Sequence, residues 1–142
     1  MKPDNFANRI DHIAFLLARH SDQVLQEQLG IGYSQYKIMS IIQNATNLQQ
    51  KQIADKLSQT EASISRQVKL SESQMLLRVY INPKNKREHL ISLTPKGERL
   101  TLEADNILES FHSTVFDKLS VKQKDALDKL LTDILFNLLG KV

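Results

Sequence analysis

The chain has 142 residues with a formal net charge of +3, 41% hydrophobic and 25% charged residues, which suits one domain with a proper core. It contains no cysteine, which excludes disulfides, thiolate metal sites and thiol redox chemistry. The opening MKPDNFANRIDHIAF interrupts any apolar signal-peptide core with acids and amides, and no run of about 18 apolar residues is present to span a membrane, so the expected location is cytoplasmic.

The predicted elements are mainly helical. From Asn5 to Leu29, Phe6, Ile10, Ile13, Leu17, Val24 and Leu29 recur at helical spacing, and Gly30 and Gly32 stop the pattern. Ser34 is the expected cap of a second helix carrying Tyr36, Ile38, Met39, Ile41 and Ile42 and ending near Asn44. Asn47-Leu48-Gln49-Gln50 has the form of a capping box, which predicts a third helix over 48–57. Ser58-Gln59 is a turn, and Thr60 caps a fourth helix, 60–73, with Glu61 favourably placed in its first turn. Ile64 and Val68 are its inward positions, with Glu61, Ser71 and Met75 in phase. Ala62, Arg66, Lys69 and Ser73 lie opposite, flanked by Ser63 and Ser65.

Leu76–Asn82 and His89–Thr94 are strand-favouring runs around the turn-like NPKNKRE, which predicts a small hairpin. Thr94-Pro95 opens a fifth helix to about Asp117 with Leu100, Ala104, Ile107, Leu108, Phe111 and Val115 on its apolar side. Ser120-Val121-Lys122-Gln123 is a second capping box. It opens a last helix striped by Leu127, Leu130, Leu131, Ile134, Leu135, Leu138 and Leu139. That stripe exceeds what one small domain can bury, so pairing with a second copy of the chain is expected.

Charge is unevenly spread. Residues 1–47 carry four basic and four acidic groups, 48–99 ten and five, and 100–142 five and seven. The excess positive charge therefore sits on the helix-turn-helix and hairpin, where attraction to phosphates would act. The order helix, tight turn, helix, hairpin is also what is needed to lay one helix in the major groove of double-stranded DNA and a loop beside it.

Taken in order, LGIGYSQYKIMSII, QIADKLSQTEASISRQV and NPKNKREHLISLTPKG resemble the MarR family of transcriptional regulators over roughly residues 29–97. The resemblance implies a winged helix-turn-helix homodimer on a pseudo-palindromic operator, usually a repressor, with residues 31–95 as the DNA-binding region. Residues 1–30 and 96–142 would form the helical dimerisation region, all within a single compact domain. By position, Ser65 and Arg66 match the pair that meets the major groove, and Arg87, at a wing tip over 82–89, matches the arginine that enters the minor groove. Thr60, Ser63, Gln67, Lys69, Lys84 and Lys86 complete the expected DNA-binding set.

Three positions depart from the family pattern. Asn85 replaces the aspartate before the wing arginine, which predicts a more mobile wing because no carboxylate holds Arg87. Ser71 stands where the family has leucine, with Leu70 one place earlier, which predicts a twisted helix end that recovers the lost burial. Met75 replaces a glycine and disfavours the left-handed turn expected there. Together they leave open an alternative, a winged-helix protein-interaction module with weakened or lost DNA binding.

Chemistry of other kinds is not indicated. His12, His20, His89 and His112 lack ligand spacing. His12 and His20 lie two turns apart near Asp11 and Asp22, which reads as surface histidines before it reads as a metal site, so no metal and no cofactor is expected. No glycine-rich phosphate loop or nucleophile-plus-base pattern is present, and the chain is not expected to be an enzyme. The resembled family commonly binds a small phenolic or anionic effector between its DNA-binding block and dimer helices. His12, Phe15, Tyr36 and Met39 are the candidate wall residues, although an ordinary core explains Phe15 and Met39 equally well.

Overall fold

A computed structural model describes residues 5–140. It contains, in chain order, α1 (Asn5–Leu29), α2 (Tyr33–Gln43), β1 (Leu48–Gln49), α3 (Gln50–Leu57), α4 (Glu61–Ser73), β2 (Leu77–Asn82), β3 (Asn85–Leu93), α5 (Pro95–Phe116) and α6 (Val121–Leu139). The chain divides into two compact units after Ile107, within α5.

In the first unit, Leu25 of α1, Ile38, Met39 and Ile42 of α2, Ile53 and Ala54 of α3, Ile64 and Val68 of α4, Leu90 and Ile91 of β3, and Ala104 of α5 are all buried. In the helices they sit at helical spacing on one inward face, while the adjacent Leu90 and Ile91 bury both faces of β3, the central strand. Only the C-terminal half of α1 takes part, through Ser21 and Leu25.

Three local expectations are corrected. The cap of α2 is Gly32 rather than Ser34, which lies exposed inside the helix. The Asp22 carboxylate of α1 accepts the Tyr33 N–H at 2.9 Å, and Gln35 Oε1 accepts that of Gly32 at 2.9 Å, so the free first-turn donors find partners without a serine cap. Asn47 does not open the third helix either: it is left-handed at φ 56°, and Leu48–Gln49 form a short strand paired to Ile91 and Leu90 of β3. The helix starts at Gln50, with Gln49 N–H donating to Gln52 Oε1 at 2.8 Å. A partner so distant in sequence leaves no local signal at Leu48. The sheet is therefore three-stranded and antiparallel, ordered β1-β3-β2.

The third correction concerns the end of α4. Ser71, not Leu70, takes the inward position: Ser71 is fully buried and Leu70 is 45% exposed, and the helix continues to Ser73 without recovering Leu70. Met75 adopts the left-handed turn itself, at φ 61°. Leu76 N–H donates to Ser71 C=O at 2.9 Å and Met75 N–H to Glu72 C=O at 3.0 Å, the paired bonds of a Schellman ending. The side chain of Met75 is 71% exposed, out of phase with Ile64 and Val68 because the helix has already stopped.

In the second unit Leu108 is buried, and α6 starts at Ser120, whose hydroxyl accepts the Gln123 N–H at 3.2 Å while Gln123 Oε1 accepts the Ser120 N–H at 2.9 Å. No residue of α6 is buried, and its leucine stripe is exposed throughout.

The first unit has one backbone approach with no tolerance. At Gly97 in the first turn of α5, a Cβ would overlap the Leu76 carbonyl oxygen. Gly97→Ala should therefore lower the unfolding free energy by about 1–3 kcal/mol, as overpacking does, with an undiminished urea midpoint as the contrary result.

Candidate nucleic-acid interface

Helix α4 is the centre of the site. Thr60 Oγ1 accepts the Ser63 N–H at 3.1 Å, which fixes the helix start, and Ser63 Oγ donates to Gln59 Oε1 at 3.3 Å. Ile64, Val68 and Ser71 are buried and hold the helix against its unit. The remaining face carries exposed Thr60, Ala62, Arg66, Lys69 and Ser73, with Ser63, Ser65 and Gln67 half-buried beside them.

The hairpin of β2 and β3 forms a wing whose register jumps near its tip. Ile81 pairs with His89, but Asn82 pairs with Asn85, so Lys86, Arg87 and Glu88 are extra residues on β3. Lys84, Lys86 and Arg87 are exposed there. Asn82 Oδ1 accepts the Lys84 N–H at 3.0 Å, and Asn82 Nδ2 donates to Glu88 at 2.8 Å. Asn85 Oδ1 accepts the Arg87 N–H at 3.1 Å. Asn85 thus supplies a side-chain acceptor for the tip backbone and no carboxylate for the Arg87 guanidinium.

Among the described residues none of Arg66, Lys69, Lys84, Lys86 and Arg87 forms an ion pair. Five exposed cations without local carboxylate partners raise the potential over one surface of the first unit, which is what attraction to a polyanion requires.

Between α4 and the wing lies a cleft of about 510 Å³. Ser65 and Lys69 line it with Gln50, Glu72, Ile81 and His89. The last four were not foreseen from sequence. The period-2 run from Leu77 to Ile81 was the available signal for which wing residues share a face, but only the pairing with β3 shows that His89 joins them.

The four residues expected to wall an effector crevice are placed differently. His12 and Phe15 are exposed on α1, whereas Met39 has no exposed surface and belongs to the core, so it is not a wall residue. Tyr36 is half-buried, and its hydroxyl donates to Asp105 of α5 at 2.6 Å. Tyr33 stacks on Tyr36 with ring centroids 6.1 Å apart, and Lys37 Nζ lies 5.0 Å from the Tyr33 centroid. Asp105, one residue after the inward Ala104, was missed; a carboxylate bordering the apolar stripe of α5 was its signal.

Burial, followed by the hydrogen bond to Asp105 and the charge of that carboxylate, pushes the Tyr36 phenol from 10.0 up to about 12. A raised acid pKa means the folded state holds its proton more tightly than the unfolded chain. The contribution is therefore complete below pH 10 and is lost as pH rises through about 12. Tyr36→Phe should cost about 1 kcal/mol at neutral pH and remove the slowest-ionising phenol from an alkaline ultraviolet titration. A wild-type titration in which all three tyrosines ionise together would contradict this placement.

Comparisons with known proteins agree with this geometry. Residues 31–89 match the MarR family model. A MarR/EmrR family transcriptional regulator from Acinetobacter sp. ADP1 superposes with a TM-score of 0.87 at 26% identity, over 100% of both chains. The Staphylococcus aureus MepR, solved as a DNA complex, gives a TM-score of 0.85 at 23% identity, covering 94% of this chain and 98% of its own. CouR from Rhodococcus jostii RHA1, bound to p-coumaroyl-CoA, gives 0.80 at 18% identity, covering 94% and 93%. A search of curated protein sequences finds no match. With the matched segment spanning α2 to the wing and the whole chain following the fold of these regulators, the protein is similar to the MarR family and is a winged-helix DNA-binding transcriptional regulator, not an enzyme.

Proposed function

We propose that this regulator acts as a homodimer on a pseudo-palindromic operator, as a repressor released by a small molecule. The observation that carries the reading is the capped, cationic outer face of α4 beside a wing tip whose cations have no ion-pair partner among the described residues. On this reading Arg66, with Ser65, Ser63, Gln67 and Thr60, meets the major groove, while Arg87 enters the minor groove, whose narrowness concentrates negative potential. Lys69, Lys84 and Lys86 contact phosphates and set the salt dependence.

Two copies are supported by the exposed stripe of α6, where Leu130, Leu135, Leu138 and Leu139 are 56–65% exposed, and by Phe6, Ile10 and Ile13 on α1, each at least 41% exposed. Apolar surface of this extent is stable in water when a second copy covers it.

A phenolic effector fits better than an anionic one at Tyr36. Asp105 already accepts a phenol hydrogen there, so an incoming phenol can replace that donor, whereas a carboxylate would meet like charge. The p-coumaroyl-CoA held by CouR shows that the fold accommodates an aromatic ligand in a relative.

Selection from a random duplex pool should return sequences with two-fold symmetry and half-sites one helical turn apart, and sedimentation should give a dimer. Weak binding at every salt concentration would favour a protein-interaction role, and a monomer would remove the two-half-site geometry. On the selected duplex, Arg66→Ala should cost about 1–3 kcal/mol and relax preference at one position, while Lys84→Ala should weaken binding to all sequences and reduce the salt slope by about 1. An Arg66→Ala variant of unchanged affinity would count against this docking.

A further inference from the structure

Gln35 in α2 is only 2% exposed, and its side chain uses both N–H donors and accepts one hydrogen bond at its oxygen. Oε1 accepts the Gly32 N–H at 2.9 Å, and because a backbone N–H can only donate, that contact fixes which end of the amide is oxygen. The two N–H groups of Nε2 then point to Ser71 Oγ at 3.0 Å and Gln74 Oε1 at 2.7 Å. Ser71 is fully buried on the inward face of α4, and Gln74 is the residue that ends the helix. One glutamine therefore links the start of α2 to the last turn of the helix that carries Arg66 and Lys69.

We propose that Gln35 is a positioning residue for DNA reading: its bonds to Ser71 and Gln74 set the rotation of α4, and with it the operator selectivity of Arg66 and its neighbours. This deepens the DNA-binding reading above and rests on it. The physical basis is directionality. Apolar packing tolerates sliding and small rotations, whereas two buried hydrogen bonds weaken steeply away from linearity. Groups that discriminate bases must be held within roughly 0.5 Å and 10–20° of their working geometry. Because the buried position at the end of this face is a serine rather than an apolar side chain, α4 takes its rotation here from a polar pair.

The test uses the full chain and a double-mutant cycle of Gln35→Met and Ser71→Ala. Gln35→Met keeps the volume but leaves the Ser71 hydroxyl buried and unpaired. Amide exchange over residues 70–76 should accelerate roughly tenfold, with α3 unaffected, and preference for the selected duplex over a scrambled one should fall about tenfold. In the double variant the Gln35–Ser71 pair is apolar while the Gly32 N–H and Gln74 still lack their Gln35 partner, so the melting temperature should recover part of the loss while the duplex preference stays low.

Recovery of both stability and preference in the double variant would show a merely structural role and overturn the proposal. Unchanged exchange and preference in Gln35→Met would do the same, as would faster exchange with full preference. If the wild-type chain preferred no duplex, the DNA reading would fail separately. The exchange of residues 70–76 would then decide the clamp alone, faster exchange upholding it and unchanged exchange removing it.

Discussion

The end of α4 is tied by hydrogen bonds to the segment that opens α5, and the placement of the exposed cationic face of α4 depends on it. Carbonyls at and just beyond the helix end are given donors: Ser71 and Glu72 by the following backbone, Gln74 by Lys96 Nζ at 3.1 Å, Met75 by the Thr94 hydroxyl at 2.6 Å, and Leu76 by the Thr94 N–H at 3.1 Å. Thr94 Oγ1 in turn accepts the Gly97 N–H at 3.0 Å, so one threonine both starts α5 and closes the end of α4. Gly97 permits the approach, since no larger residue could sit against the Leu76 carbonyl. These bonds offset the left-handed backbone of Met75, which costs about 1–2 kcal/mol in a residue with a Cβ.

Helix α2 distributes the constraint. Successive residues reach different neighbours: the Tyr33 N–H meets Asp22 of α1, Gln35 meets α4, and Tyr36 meets Asp105 of α5. A short helix with polar ties on three sides couples displacements that purely apolar packing would absorb. Tyr36, tied to Asp105 of α5, is therefore one residue away from Gln35, tied to α4.

The electrostatic design is equally local. The cations that face outward from α4 and the wing lack carboxylate partners among the described residues, while Glu88 is held by Asn82 and turned away from the task of pairing with Arg87. Attraction to phosphate is therefore not discounted by internal ion pairs, and the wing tip presents Arg87 from a backbone that Asn85 shapes through a neutral acceptor.

Much of this was legible in the residue order. Apolar spacing located α1, α4, α5 and α6, the Thr60, Thr94 and Ser120 caps were each readable because capping is a contact between near neighbours, and the charge excess over 48–99 marked the segment that carries α4 and the wing. What only the tertiary structure decided came from partners far apart along the chain: β1 exists because Leu48 meets Ile91, and Asn47 was misread because that pairing has no local trace. Ser71 looked like a defect in an apolar stripe until Gln35 arrived from α2 to satisfy it, and Met39, which the residue order left open between a crevice wall and the core, is completely buried. Local hydrogen bonds and periodicity are written into neighbouring residues, whereas a buried polar contact is specified jointly by two segments that only folding brings together.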